Sequence, residues 1–231
     1  MFLGCIPIVS LDKIYLSTDN QKIIFLDCTR LDGSKELVSR KNPNDSTDVD
    51  RQIRMIADNL KSINETKIVL ADDIVFSGAV LKTIIGKFRN NQIEVIGVRT
   101  PVSTIESYEY FNALMPLGLK CAYLLETGFI DQICERDFYF GIAQSGISVR
   151  NKNGIIYKAP YFKPFGNPIE RASIPGNYES FFSDGCINRS LCLWSEIENI
   201  SNREMFIRDL PEKINMISDE QQVTKVLRGQ L

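Results

Sequence analysis

Lys67 to Leu81 reads KIVLADDIVFSGAVL, and the order of residue types in it decides the fold class. A short apolar run, Lys67 to Ala71, ends on two adjacent acids, Asp72 and Asp73. Ser77 and Gly78 follow as a small-residue turn, and from Ala79 the pattern becomes helical. An uninterrupted apolar run of this length is expected to be a strand buried on both faces, the kind found in parallel sheets covered by helices. In open sheets of that type ligands collect beyond the carboxyl ends of the strands. The two acids are therefore expected at a binding edge, with the unpaired amides of the next helix N-terminus aimed at the same crevice.

The neighbouring segments support that reading. Val49, Ile53, Ile56, Leu60 and Ile63 recur at helical steps, and Thr47 with Asp50 resembles a capping box in which Asp replaces Glu. Ala79 to Phe88 predicts a helix, Ile93 to Val98 a strand, Thr104 toward Met115 another helix, and Cys121 to Leu125 a further strand. Upstream, Lys22 to Cys28, KIIFLDC, is the first clear strand. The alternation of helix and strand predicts an α/β fold with a mostly parallel central sheet flanked by helices over residues 1–150. Residues 151–231 are expected to form a C-terminal irregular and helical extension, because YKAPYFKPFGNPIERASIPGNY from Tyr157 is rich in proline and aromatic residues. Those aromatics need something to pack on, either a hood over a ligand or a sheet edge. A helical tail with Leu193, Ile197 and Ile200 as its buried stripe completes the chain.

Composition narrows the chemistry. The chain has 231 residues, 27 basic against 29 acidic, for a net charge of -2, so bulk electrostatics give no case for nucleic acid. It contains no histidine, which excludes Ser-His-Asp and Cys-His catalysis and every His-containing zinc centre. The six cysteines form no C-x-x-C pair and read as buried thiols. No stretch approaches the roughly 18 apolar residues of a membrane span, and MFLGCIPIVSLDK has no basic segment before its apolar run. A soluble cytoplasmic protein without a membrane partner is expected, and homodimer formation is left open.

The strand, acid pair and Gly-containing turn of VLADDIVFSGAVL resemble the signature of type I phosphoribosyltransferases. The match covers about fifteen residues. The resemblance implies a phosphoribosyltransferase-like core and a magnesium-dependent transfer of ribose 5-phosphate between phosphoribosyl pyrophosphate and a nitrogen base, with pyrophosphate release. By matching position, Asp72 and Asp73 would hold the ribose hydroxyls and Mg2+, directly or through water. Ser77, Gly78, Ala79, Val80 and Leu81 would hold the 5-phosphate. Thr29, Arg30 and Gly33 in CTRLDGS would form the pyrophosphate loop, and the polar stretch with Lys35, Arg40 and Lys41 a flexible lid. Asp137 and Phe138 would bind the nucleobase or nucleotide.

Two positions depart from the family pattern. Phe76 stands where a small hydroxyl or an aspartate is usual, and Val80 replaces a hydroxyl that normally touches phosphate. These departures keep two other readings in view, a non-catalytic sensor of nucleotide or phosphoribosyl pyrophosphate on the same fold, and a nucleotide N-glycosidase. A plainer one also stands, in which Asp72 and Asp73 only end a strand and Ser77 only caps a helix. A P-loop ATPase is excluded because G-x-x-x-x-G-K-[ST] occurs nowhere.

Overall fold

The computed structural model describes residues 6–12, 23–34, 36–126, 138–143, 145–169, 174–212, 214 and 216–231. The chain divides into two compact units, one of residues 1–29 and 37–129, the other of residues 30–36 and 130–231. The expected boundary near residue 150 thus moves to about residue 129, and the short segment Arg30–Glu36 goes with the second unit.

The first unit is α/β. Its strands are β1 (Ile8–Ser10), β2 (Ile23–Phe25), β5 (Lys67–Ala71), β6 (Ile74–Val75), β7 (Glu94–Thr104) and β8 (Leu119–Leu125), with two short strands, β3 (Thr29–Arg30) and β4 (Leu37–Val38), lying between β2 and the first helix. The central sheet runs β2-β1-β5-β7-β8, and every pairing in it is parallel. Its flanking helices are α1 (Asp48–Ser62), α2 (Ala79–Asn90) and α3 (Ile105–Leu114). Ile68 through Ala71 are all buried, as the apolar run requires of a strand covered on both faces. Val49, Ile53, Ile56 and Leu60 of α1, together with Leu81, Ile84 and Phe88 of α2, enter one aliphatic core with the strands.

Several expectations change. The segment before KIIFLDC contains β1, an interior strand of the sheet between β2 and β5; at three residues it is too short to show a period. Ile63 falls past the end of α1 and is exposed. Thr47 does not cap that helix through its side chain. Its hydroxyl and its amide both donate to Asp45 Oδ1 instead, at 2.8 and 3.0 Å. Thr104 does cap α3, accepting from the Ser107 amide at 3.3 Å.

The second unit contains the antiparallel hairpin β9 (Ile147–Arg150) and β10 (Ile156–Ala159), the long helix α4 (Glu179–Ser201) and the short helix α5 (Val223–Arg228). Aromatics of the proline-rich region, Tyr161 and Phe162, join rings from either side of it in this unit's own core. Phe138, Phe140, Tyr161, Phe162, Phe182 and Trp194 are all buried there. The buried stripe of α4 is Phe182, Ser183, Cys186, Ile187, Ser190 and Trp194; of the predicted stripe Ile197 packs partly against the same core, whereas Ile200 is exposed, so the stripe begins earlier on the helix than expected. Cys28 and Cys186 are buried thiols as expected, whereas Cys192 is exposed; all are free. Among the described residues no helix is long and apolar enough to cross a membrane.

Candidate functional site

Ala71 of β5 pairs with Arg99 of β7, and pairing resumes only at Ile74 of β6 with Val102. The two acids lie in the gap, opposite Thr100 and Pro101. Proline has no N–H to give a ladder, so Pro101 supplies a local reason for the strand to break at this point. The bend is held from β7: the Asp72 amide donates to Arg99 O at 3.1 Å, and the Thr100 hydroxyl lies 3.2 Å from Asp73 O. Within the bend the Asp73 amide donates to Asp72 Oδ1 at 3.1 Å, and the Ile74 amide to Asp73 Oδ1 at 2.8 Å.

Desolvation and the neighbouring Asp73 carboxylate push the Asp72 carboxyl well above the usual carboxylate range, while the Arg40 guanidinium pulls the other way. Asp72 keeps some solvent contact as a residue, but it is the crowding of its carboxyl by protein that sets this direction. Close by in charge, the buried Cys28 thiol is pushed up to about 12, chiefly by burial, with Arg40 opposing and Asp72 and Asp27 adding to the rise. Cys28 is therefore an inert core thiol.

The turn after the acids is anchored from behind. Phe76 O accepts from the Thr104 hydroxyl at 2.8 Å and from the Ser107 hydroxyl, so two side chains at the start of α3 hold this carbonyl. Gly78 is left-handed at φ +64, and a Cβ placed on it would stand 2.7 Å from the buried Phe111 ring. Only glycine satisfies both constraints. Ser77 is exposed, and its Oγ accepts from the Ala79 amide at 3.4 Å. Val80 packs partly against the core and Leu81 is fully inside it, so at these two positions only the main-chain amides of the first helical turn remain to meet a ligand.

The remaining predicted site residues are distributed as follows. Thr29 is buried in the first unit, whereas Arg30 and Gly33 belong to the second. There the Asp32 amide donates to Ser148 O at 2.8 Å, and Glu36 pairs with Arg150 at 2.8 Å. Gly33 is left-handed with open space around it, as an ordinary Asp-Gly turn would be. Phe138 packs edge-on against Tyr161 and Phe182 in the core of the second unit, and it also lines a cavity of that unit together with Tyr178, Phe181 and Arg189. Lys35 and Asp137 lie outside the described residues.

The expected lid is tied down over the described residues. Leu37 and Val38 are buried, the Ser39 hydroxyl donates to Asp27 Oδ2 at 2.9 Å, and the Lys41 amide donates to the same oxygen at 3.0 Å. Arg40 is half-buried and Lys41 exposed. Sequence reasoning missed the supports of the site, namely Thr100, Thr104, Ser107, Phe111 and Asp27. Pro101 was the one local signal for the bend, whereas the others act across 12 to 33 positions of chain and leave no short-range pattern. No family model, curated protein or solved structure gives a significant match to this chain.

Proposed function

We propose that the crevice at the carboxyl edge of the first unit's sheet binds the ribose 5-phosphate half of phosphoribosyl pyrophosphate, and that the protein is a phosphoribosyltransferase with a divergent type I core. The carrying observation is the combination of two adjacent carboxylates on a braced bend with an αL glycine that opens a helix only five residues after the second acid. Carboxylate oxygens accept from a vicinal diol, and first-turn amides with the positive helix end suit a phosphate. Phosphate and diol thus meet partners of the right type at the right order in the chain.

The chemistry asked of the protein is modest. Pyrophosphate departs from the anomeric carbon, the nitrogen base attacks the same carbon, and the ribose carries positive charge between the two events. Asp73 and the ionised form of Asp72 stabilise that charge by electrostatics, with no covalent intermediate. A chain without histidine can therefore perform it. Magnesium, implied by the resemblance, fits as a guest of the two carboxylates. Among the described residues no group of three or more His, Cys, Asp or Glu gathers to cage an ion, so the rest of its shell would come from pyrophosphate oxygens and water. When bound it supplies positive charge to the leaving group.

A second reading, a sensor that binds without turnover, draws on Phe76 in the turn and on the tethered segment around Ser39 to Lys41 where a closing lid would be needed. Pyrophosphate release measured with phosphoribosyl pyrophosphate, magnesium and a panel of purine, pyrimidine and pyridine bases separates the two. Release with at least one base establishes transfer. Binding with no release across the panel gives the sensor, and absence of binding sinks both.

A further inference from the structure

We propose that Arg40 is a fixed counter-charge for the acidic pair, so that the crevice takes a sugar phosphate monoester without a divalent cation. The inference rests on the ribose-phosphate reading above and adds to it the protein's own source of positive charge.

The placement follows from strand register. Ser10 of β1 pairs with Ala71 of β5, and the Leu11 amide continues that ladder by donating to Ala71 O at 2.9 Å. Leu11 and Asp72 are therefore the next residues along two adjacent parallel strands, side by side at the carboxyl edge. Arg40 Nη1 donates to Leu11 O at 3.3 Å. The guanidinium is thereby brought to the edge where the acids stand, and its charge acts on both Asp72 and Cys28.

The backbone that presents Arg40 is held on both sides. Ser39 and Lys41 both donate to Asp27 Oδ2, and the Asn42 amide donates to Ser39 Oγ at 3.0 Å. Asp27 is itself fixed by Gln52 of α1, which accepts from the Asp27 amide at 2.9 Å and donates to its carbonyl at 3.2 Å. Gln52 in turn donates to Asp48 Oδ2 at 2.7 Å. The arginine is thus carried on a frame running from α1 through the end of β2, where a mobile lid was expected.

Two adjacent carboxylates in a desolvated bend repel each other, which favours a proton on one of them, and a nearby cation is what favours ionising both. A divalent ion is one solution; a guanidinium held in place is another. A guanidinium carries five N–H groups, and among the described residues one hydrogen bond from Arg40 is seen, to Leu11 O. A preorganised guanidinium loses little freedom when a ligand arrives. Pyrophosphate brings its own metal requirement through its oxygens, whereas a phosphate monoester does not.

The test is calorimetric titration of ribose 5-phosphate into the full chain, in magnesium and in EDTA. Wild type is expected to keep its affinity within twofold. Arg40→Gln is expected to bind at least tenfold more weakly in EDTA and to recover part of the loss with magnesium, while Arg40→Lys retains partial binding. A tenfold loss for wild type in EDTA, or an unchanged affinity for Arg40→Gln, overturns the proposal and leaves the ribose-phosphate reading standing. If wild type binds ribose 5-phosphate in neither buffer, that reading falls, and the counter-charge is then judged by manganese binding to the ligand-free chain. Arg40→Gln should acquire a manganese site that wild type lacks and that Asp73→Asn removes; no gain overturns the counter-charge as well. Circular dichroism of each variant checks that it is folded.

Discussion

The two units solve the problem of burying a core with different materials. The first is aliphatic: Val, Ile and Leu from parallel strands and three helices interdigitate around a few rings such as Phe88 and Phe111. The second is aromatic, with edge-to-face pairs such as Phe138 on Phe182 and Phe140 on Phe165 around a small hairpin and a long helix. A parallel sheet ends all its strands in one direction, so its carboxyl edge gathers polar groups from chain segments far apart in sequence. In the aromatic unit two buried polar side chains instead hold the unit's own backbone. Trp194 Nε1 donates to Phe140 O at 2.7 Å, and Ser190 Oγ accepts from the Phe140 amide at 3.0 Å. The first unit thus carries two carboxylates on a braced bend at its sheet edge, whereas Trp194 and Ser190 of the second bond to that unit's own backbone.

The largest expected break in that contrast is Trp194→Ala. It empties the space of the largest buried ring in the second unit and orphans Phe140 O, so it should cost about 3–5 kcal/mol in urea denaturation followed by circular dichroism. Trp194→Phe keeps most of the volume but loses the indole donor, and should cost about 1–3 kcal/mol.

In the first unit Gly78→Ala comes next. An added Cβ meets Phe111 and forces a left-handed alanine, for about 1–3 kcal/mol of stability. It should also weaken ribose-phosphate binding by displacing the turn. An alanine variant as stable as wild type would show that the turn is free to move.

Asp72→Asn sharpens the comparison in the opposite sense. The carboxyl of Asp72 holds its proton more tightly in the folded chain than in the unfolded one. Its penalty is therefore absent below the unfolded-state value and grows as pH rises toward and through the folded value. The asparagine variant is expected to be more stable than wild type at pH 7, by about 1 kcal/mol, with the advantage vanishing near pH 3. Denaturation midpoints across pH 3 to 8 would show this, and a gain largest in acid would refute it. The same variant paired with Asp73→Asn should abolish ribose-phosphate binding.

The smallest effect is at Ser77. Ser77→Ala should weaken phosphate affinity by about 0.5–1.5 kcal/mol if the hydroxyl makes one hydrogen bond, read by titration with ribose 5-phosphate.

Much of the first unit was legible because its signals are local. The apolar run at Ile68 to Leu70, the helical spacing of Val49 to Leu60 and the cap at Thr104 each lie within a few residues of their consequence. The three-residue β1 was not legible, because its place inside the sheet comes from partners 15 and 61 positions away. The tethering of Arg40 was hidden for the same reason, since charged and polar residues without apolar period look alike whether they drift in solvent or bond to Asp27. In the second unit the aromatic content was visible, but not that the rings would pack on one another.

By itself the sequence determined the alternation that makes a parallel sheet, the absence of imidazole chemistry, and the order of acids, small residues and helix start that defines the candidate crevice. These depend on residue type and on spacings shorter than one element. The tertiary structure decided that the acids sit on a bend braced by Thr100, that Gly78 must be glycine because Phe111 stands behind it, and that Arg40 belongs to a fixed frame beside Asp72. Those facts come from strand register and from packing between segments distant in the chain, and no local pattern of residues encodes either.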